Sequence, residues 1–219
     1  MELILIVFTV GYLIQHIASF VLIWQIKKKL SLEGLSKETQ ILYMIGAIAR
    51  CFWVFDTRLM YFPLIWIELL LSLVFSGYIL YLFYKYSHTI LTQIDNPFSY
   101  KLLIIVCSIL AFFLHPGLKG KYYFTIQMLV SFSMFLEASG LLPQLYLARK
   151  AGSVDVNIGH YIILLAVSRV FRLIFWLMMY YEGDHFVYLI AADLLHSFFV
   201  GDFVFYYLKR KSGNTILLS

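Results

Sequence analysis

Long runs of apolar residues alternate with short polar stretches along the whole chain. Seven such runs occur, at residues 4–26, 41–55, 59–84, 102–114, 123–147, 161–181 and 186–208. A helix needs about 20 apolar residues to cross the roughly 30 Å hydrocarbon core of a bilayer. The second and fourth runs are shorter, but helices shielded by their neighbours can include polar flanks. The runs are continuous rather than alternating, so the pattern predicts seven transmembrane helices and no β-barrel.

The composition supports the same conclusion. Hydrophobic residues make up 62% of the 219 residues and charged residues only 13%, whereas a soluble domain has about a quarter of its residues charged. The first run has no basic stretch before it and no evident small-residue cleavage site, which predicts a retained helix rather than a signal peptide. Cys51 and Cys107 both fall in apolar runs and are expected to act as small hydrophobic residues.

The basic residues predict an orientation, because cytoplasmic loops collect lysine and arginine. With seven helices, one set of loops and the C-terminal tail hold eleven of them: Lys27, Lys28, Lys29, Lys37, Lys85, Lys101, Arg149, Lys150, Lys209, Arg210 and Lys211. The opposite loops hold three: Arg58, Lys119 and Lys121. The N-terminus is therefore expected in the lumen or outside, and the tail in the cytoplasm. The net charge of +5 follows from this bias and does not indicate nucleic-acid binding.

The chain also matches itself when it is shifted by 119 residues. Trp24-Gln25 then falls on Pro143-Gln144, and residues 47–50 fall on residues 166–169, which aligns Arg50 with Arg169. Residues 1–84 and 123–208 would thus form two three-helix repeats, residues 101–115 a linker helix, and residues 209–219 a cytoplasmic tail. An odd linker gives the two repeats the same orientation, and binding sites in such proteins lie between the repeats near the middle of the membrane.

Arg50, Arg169 and Arg172 are the basic residues that fall inside the predicted helices. A cation at the bilayer centre costs at least about 2.5–3.5 kcal/mol, and two facing cations repel each other. Glu137, Asp202, water or an anionic ligand must offset this. The sequence favours an anion-receiving cavity between Arg50 and Arg169, while an Arg–Glu pair that only holds helices together remains the alternative.

Several neighbours of these arginines share helix faces. Arg169, Arg172 and Trp176 follow the spacing i, i+3, i+7, so Trp176 is expected either to stack on a cation and seal the cavity or to anchor the helix at the lipid interface. Glu137 lies seven residues before Gln144, and Pro143 is expected to bend the helix near Ser139.

Two histidines fall deep in the apolar runs. His16 lies in the first run and His196 in the seventh. A buried neutral histidine is the ordinary interpretation, and a protonation switch between compartments of different acidity is the alternative. His16 is the candidate for such a switch. The sequence contains no phosphate-binding glycine loop, metal-ligand spacing or nucleophile elbow, so neither an enzyme nor a cofactor or metal site is predicted.

Two blocks of sequence resemble the ER lumen protein-retaining receptors, known as KDEL receptors. GLSKETQILYMIGAIARC, residues 34–51, is similar to that family's loop and second helix, and LEASGLLPQL, residues 136–145, to its L-E-S-x-A-I-L-P-Q-L signature. HYIILLAVSRVFRLIFW and GDFVFYYLKRK follow the family's sixth helix and the end of its seventh. The resemblance extends over nearly the whole chain.

The resemblance implies an all-α membrane fold of seven helices akin to the PQ-loop and SWEET transporters. It also implies a receptor that captures escaped ER proteins by a C-terminal tetrapeptide in the acidic Golgi and releases them in the more neutral ER. On the family pattern Arg50 binds the terminal carboxylate. The other cavity residues that the resemblance implies are Glu137, Arg169, Trp176 and Asp202, and Arg172 replaces one of the family's tyrosines.

Several charged positions of the family are replaced in this chain. No arginine precedes Arg50, and the family's helix-one histidine falls on Gln15, one residue before His16. The other replaced positions are Trp53, Gln127, Ser168, Arg172, Met178 or Met179, and Phe186, with Asp184 close to the last. These departures predict a receptor that retains the carboxylate-binding part of the site and has an altered signal preference.

The rival interpretations are a small-solute transporter of the PQ-loop or SWEET type and, more weakly, a structural membrane protein. A sugar carrier has no need of arginines in its cavity, which favours the receptor. The expected partners are soluble ER proteins, membrane lipids and the COPI coat, which could engage the basic tail LKRKSGNTILLS near Ser212. The same lysines could equally be ordinary membrane anchors.

Overall fold

The protein is all-helical in the computed structural model, which describes residues 2–52, 63–90, 97–115, 126–151, 156–183 and 187–216. Eight α-helices are present in these ranges: α1 (Glu2–Lys29), α2 (Lys37–Cys51), α3 (Pro63–Lys85), α4 (Tyr100–Phe113), α5 (Ile126–Ser139), α6 (Leu142–Ala151), α7 (Val156–Tyr181) and α8 (Val187–Ile216). Apolar runs become helices in lipid because each backbone N–H and C=O must then be satisfied within its own segment.

Each of the seven apolar runs contains a helix in the described part of the chain, and the fifth run is divided into α5 and α6. Five helical stretches are long and apolar enough to cross a membrane: Leu3–Lys29, Pro63–Lys85, Met128–Lys150, Ile158–Tyr181 and Val187–Lys209. The shorter α2 and α4 are the two that the sequence predicted to be short. Trp53, Arg58, Lys119, Lys121, Asp184 and Phe186 lie outside the described residues, as does the side chain of Gln127.

The helices enclose a common interior. α1 packs against α3 and α7, α2 against α3 and α5, α4 against α5, and α8 against α5 and α7. Many large apolar side chains point outward, and on α1 alone Leu13, Phe20 and Trp24 are more than half exposed. So much exposed apolar surface would be a liability in water, and it is what a helix bundle presents to lipid.

The break between α5 and α6 lies just before the Pro-Gln pair. α5 ends at Ser139 and α6 begins at Leu142, which places Pro143 in the first turn of α6, where its missing N–H removes no helical hydrogen bond. At Gly140 an added Cβ would lie 2.8 Å from the Leu136 carbonyl oxygen and 3.1 Å from the Tyr43 ring. Glycine is therefore favoured at this turn, where the helix is interrupted between Ser139 and Leu142.

Gln144 attaches α6 to the loop between α1 and α2. Its Nε2 donates to the Gly34 carbonyl oxygen at 2.7 Å, and its Oε1 accepts from the Ser36 N–H at 2.8 Å. Gly34 has a φ of 80°, which favours glycine, and Ser36 caps α2 by accepting from the Thr39 N–H. The amide thus fixes the entry to α2, the helix that carries Arg50.

Candidate functional site

Six charged side chains meet in the interior of the bundle. Three are the arginines that the sequence placed inside helices, and three are acids from different helices. Their members are Arg50 of α2, Arg169 and Arg172 of α7, Glu68 of α3, Glu137 of α5 and Asp193 of α8, and all six are buried. Five of the eight helices contribute residues to this group. Few loops lie inside the membrane in such a bundle, so helix faces place these side chains in the interior.

Glu137 is the central member of this charged cluster. One of its oxygens, Oε1, accepts from Arg50 Nη1 at 3.1 Å. The other, Oε2, accepts from Arg172 Nη1 at 2.7 Å and from Arg169 Nη1 at 3.4 Å. A single carboxylate therefore joins α2 to α7 through α5, and Arg50 and Arg169 do converge as the internal match predicted.

The two remaining acids complete the pairing. Glu68 Oε1 accepts from Arg50 Nη2 at 2.7 Å, and Asp193 Oδ1 lies 3.4 Å from both Arg169 Nη1 and Arg172 Nη2. With three guanidinium groups and three carboxylates, the cluster has no formal net charge. Of the counter-ions that the sequence suggested, Glu137 is present and is joined by Glu68 and Asp193. The chain thus supplies its own counter-ions, because a buried unpaired cation is too costly.

A small cavity borders the charged cluster. It is lined by Arg50 and Arg172 together with Phe8, Tyr12, Val130, Ser133, Met134, Phe175 and Trp176. The volume is about 10 Å³, which is about the space that one water molecule needs. This cavity is too small for a peptide, and the arginine that lines it with Arg50 is Arg172 rather than Arg169, which the sequence had paired with Arg50 across an anion-receiving cavity.

Aromatic rings line the cavity beside the two arginines. The Arg50 guanidinium carbon lies 4.9 Å from the centre of the Tyr12 ring and that of Arg172 lies 5.4 Å from it. Trp176 is buried against Phe175, with ring centres 5.1 Å apart. Of the two interpretations of Trp176, the structure favours the one that closes the cavity, since an interface anchor would be exposed to lipid.

Asp202 lies apart from the charged cluster. Its carboxylate pairs with Arg149 of α6, and both side chains are partly exposed. The expectation that Asp202 lines the cavity is therefore corrected. The acid of α8 that reaches the arginines is Asp193, which lies nine residues earlier and is buried.

The two deep histidines differ in their surroundings. His16 Nε2 lies 4.0 Å from Glu68 Oε1, at the edge of the charged cluster, and its ring is 5.7 Å from Phe75. His196 is stacked on Tyr43, with ring centres 6.4 Å apart. Both are buried, and within the described residues neither Nε2 has a hydrogen-bond partner. His16 lies beside Glu68, the acid of α3 that pairs with Arg50, whereas His196 lies on α8 three residues after Asp193.

Sequence reasoning missed Glu68 and Asp193. The signal that could have found them is a charge balance applied to the apolar runs, since three buried arginines require about three buried acids. Glu68 and Asp193 are acids inside the third and seventh runs. Asp202 was chosen instead because of a motif resemblance, although its position near the basic end of α8 places it beside Arg149.

Comparisons with known proteins identify a family that this chain resembles over most of its length. The profile of the family described as ER lumen protein retaining receptor matches residues 31–179. An ER lumen protein-retaining receptor of Petunia hybrida is 30% identical over 210 residues, which cover 92% of this chain and 93% of the relative.

Two further relatives show the same extent of similarity. The ER lumen protein-retaining receptor erd-2.2 of Caenorhabditis elegans is 29% identical over 196 residues, covering 89% of this chain and 88% of its own. A receptor of the same name in Plasmodium falciparum is 28% identical over 208 residues, covering 92% and 91%. These relatives are named as receptors rather than enzymes. Since the profile spans more than half of the sequence and the relatives span nearly all of it, the chain belongs to the ER lumen protein retaining receptor family.

Proposed function

We propose that this protein is a receptor that binds C-terminal retention signals of soluble ER proteins and returns those proteins from the Golgi to the ER. Membership of the family supports the retention role, since relatives named as retention receptors match about nine-tenths of the chain. The apolar helices make it a multi-pass membrane protein of these compartments. Family membership is the observation that carries the proposal, and the cavity that Arg50 and Arg172 share with aromatic side chains is the candidate place for the signal.

Arg50 is the proposed receiver of the terminal carboxylate of the signal. A guanidinium group binds a carboxylate through two parallel N–H donors, which suits capture of a free C-terminus. Arg172 and Trp176 line the same cavity, and Glu137, which is itself bonded to Arg169, holds the two cavity arginines in place. The apolar side chains between them suit the last side chain of a peptide.

In this proposal the structure represents a closed conformation of the receptor. A cavity of about 10 Å³ cannot hold a tetrapeptide, so binding must separate α1 and α7 from α5. The competing interpretation is a purely structural ion cluster, which the pairing of all three arginines with acids would equally satisfy. The two interpretations differ in whether a free carboxylate competes for Arg50.

An altered signal preference follows from the replaced positions. Arg172 and Ser168 are buried on α7 where the family resemblance implies tyrosines, and Met179 and Gln127 stand where charges are implied. Trp53 and Phe186 replace acids, but they lie outside the described residues. With fewer charges to contact the upstream residues of a signal, selectivity for charged residues there would fall, so the preferred tetrapeptide would differ from KDEL and HDEL.

Binding is proposed to depend on pH through His16. Its Nε2 lies 4.0 Å from Glu68, the acid that pairs with Arg50. A proton on His16 would therefore add a cation beside the acid that competes for Arg50, and stronger binding in the acidic Golgi would result.

Two parallel three-helix repeats are proposed for the architecture. The internal match relates α1 to α5–α6, α2 to the start of α7, and α3 to α8. Each packing contact between two helices should then have a counterpart. The contact of α1 with α7 corresponds to that of α5 with α2, the contact of α2 with α3 to that of α7 with α8, and the contact of α1 with α3 to that of α5 with α8. All of these pairs pack together, which supports the repeat and the PQ-loop likeness.

The proposed orientation places the N-terminus in the lumen and the basic tail in the cytoplasm. Phe8 lies near the start of α1 and Trp176 near the end of α7, which puts the cavity in the lumenal half. The tail of residues 209–219 would then be available to the COPI coat. Ser212→Asp adds negative charge to its basic cluster and is expected to alter trafficking; unchanged Golgi-to-ER return would contradict a role for the tail.

The decisive experiment measures peptide binding to the purified protein. Peptides ending in KDEL, HDEL and variants are compared with free and amidated C-termini at acidic and neutral pH. Tighter binding of the free acids, most of all at acidic pH, is expected. Equal binding of amidated peptides would refute the role of Arg50, and uptake of sugars or amino acids into proteoliposomes in the absence of peptide binding would favour the transporter instead.

A further inference from the structure

Glu68 holds Arg50 through a closed set of three hydrogen bonds. Arg50 Nη2 donates to Glu68 Oε1 and to Ser72 Oγ, each at 2.7 Å. Ser72 Oγ in turn donates to Glu68 Oε1 at 2.8 Å. Glu68 and Ser72 lie one turn apart on α3 and are both buried. Neither residue was singled out by the sequence, and neither belongs to the motifs that carry the family resemblance.

Both terminal nitrogens of Arg50 are already bonded to carboxylates. Nη1 donates to Glu137 and Nη2 to Glu68. An incoming carboxylate that is to pair with both terminal nitrogens of Arg50 must therefore take the position of one of these two acids; the third nitrogen, Nε, has no hydrogen-bond partner among the described residues.

Glu68 is the replaceable partner of the two. Glu137 is bonded to three arginines, so its movement would break contacts of Arg169 and Arg172 as well. Glu68 pairs with one arginine, Arg50, accepts from the neighbouring Ser72, and lies 4.0 Å from His16. Exchange of Glu68 for another carboxylate thus breaks the fewest ion pairs.

A place for the displaced Glu68 carboxylate exists at His16. Its Nε2 lies 4.0 Å from Glu68 Oε1, so an approach of about 1 Å would form a hydrogen bond. Among the described residues, the charged groups that face His16 are Glu68 from α3 and Arg50 from α2. Since the cluster is neutral without a ligand, a proton on His16 would also balance the added ligand charge.

We infer that Glu68 is an internal substitute for the ligand carboxylate, which holds its position on Arg50 and is exchanged onto His16 when a C-terminal carboxylate binds. Glu68 is then an affinity- and specificity-determining residue: it excludes ligands that cannot offer Arg50 a carboxylate in exchange. This inference rests on the proposed receptor function.

The test replaces one acid of the charged cluster at a time. Glu68→Gln keeps the size and an acceptor oxygen but removes the competing charge, so free-acid peptides are expected to bind at least tenfold more tightly at neutral pH, with no gain for amidated peptides. Asp193→Asn is the matched control, because it removes the same charge from the cluster without touching Arg50. A clearly smaller gain is expected from it.

The outcomes separate the inference from the receptor function. If the wild-type protein binds free-acid peptides and Glu68→Gln gains no more than Asp193→Asn, the inference is overturned and the receptor function stands. If neither the wild-type protein nor any variant binds C-terminal peptides, the receptor function fails and the inference fails with it. Should Glu68→Gln not yield folded protein, Ser72→Ala loosens the same contact: a severalfold gain for free acids supports the inference, and no gain overturns it.

Discussion

Glu137 is the residue on which the buried charges depend most. It is 5% exposed and accepts hydrogen bonds from three arginines. If Glu137 were lost, the acid that remains near Arg169 would be Asp193, at 3.4 Å. A buried carboxylate with this many partners stabilises the fold chiefly because it prevents uncompensated buried charge. Its loss should therefore lower the free energy of unfolding more than the loss of a surface ion pair does.

Glu137→Gln is expected to lower the free energy of unfolding by about 3–5 kcal/mol, because it leaves buried arginines without their shared counter-ion. The control is Asp202→Asn, which removes the same charge from the partly exposed pair with Arg149 and should lose no more than about 1 kcal/mol. Thermal unfolding of both variants in detergent measures the difference. Equal losses would show that Glu137 is not the centre of the cluster.

At the scale of the helices, small residues set how closely neighbours approach. A Cβ added at Gly159, near the start of α7, would lie 2.3 Å from the buried Tyr207 ring of α8. Gly201 on α8 has no heavy atom within 4 Å of the corresponding position among the described residues. The two glycines therefore have different roles, although both lie within helices.

Gly159→Ala is expected to destabilise the protein by about 1–3 kcal/mol, because the buried Tyr207 ring must move to admit the methyl group. Gly201→Ala adds the same atoms to open space and is expected to be neutral or slightly stabilising, since alanine favours a helix by up to about 1 kcal/mol over glycine. Unfolding temperatures of the pair provide the measurement. A loss at Gly201 as large as at Gly159 would contradict close packing of α7 on α8.

Gln144 links two elements that are distant in sequence. Gln144→Ala removes both hydrogen bonds to the α1–α2 loop and leaves the buried Ser36 N–H and the partly buried Gly34 carbonyl without this partner, so a loss of about 1–3 kcal/mol is expected. Gln144→Glu retains the acceptor for Ser36 but loses the donor to Gly34 and should be at least as harmful, because two oxygens then face each other. Hydrogen exchange of residues 31–36 is the measurement, and unchanged protection in both variants would refute the link.

Much of this arrangement could be predicted from helix patterning, and the reasons for the exceptions are physical. Apolar runs locate the helices because lipid leaves the backbone no alternative, and the aligned arginines located the interior. The ion pairs inside the bundle depend on which helix faces meet. The hydrophobic pattern along the chain does not contain this information. The motif resemblance placed Asp202 at the site in place of Asp193, and Glu68 was overlooked although it is the one acid in the run 59–84.

At the scale of the whole molecule, a neutral interior must bind a negative ligand. Three arginines and three carboxylates cancel, so an added carboxylate brings an excess charge of −1 into a low-dielectric site unless a proton accompanies it. His16 lies where that proton would serve, 4.0 Å from Glu68. The bound state would then hold about one more proton than the free state, and affinity must rise as the pH falls.

Peptide affinity is accordingly expected to fall by up to about tenfold per pH unit as the pH rises through the range in which His16 of the complex loses its proton, since one proton is linked to binding. Calorimetry in buffers of different ionisation enthalpy should detect uptake of about one proton at acidic to neutral pH. His16→Gln should flatten the profile, whereas His196→Gln, which alters a histidine stacked on Tyr43 rather than placed beside Glu68, should leave the slope unchanged. If His16→Gln kept the slope of affinity against pH, or if only His196→Gln lost it, the linked proton would belong to a group other than His16. The physical basis proposed for release in the neutral ER would then be removed.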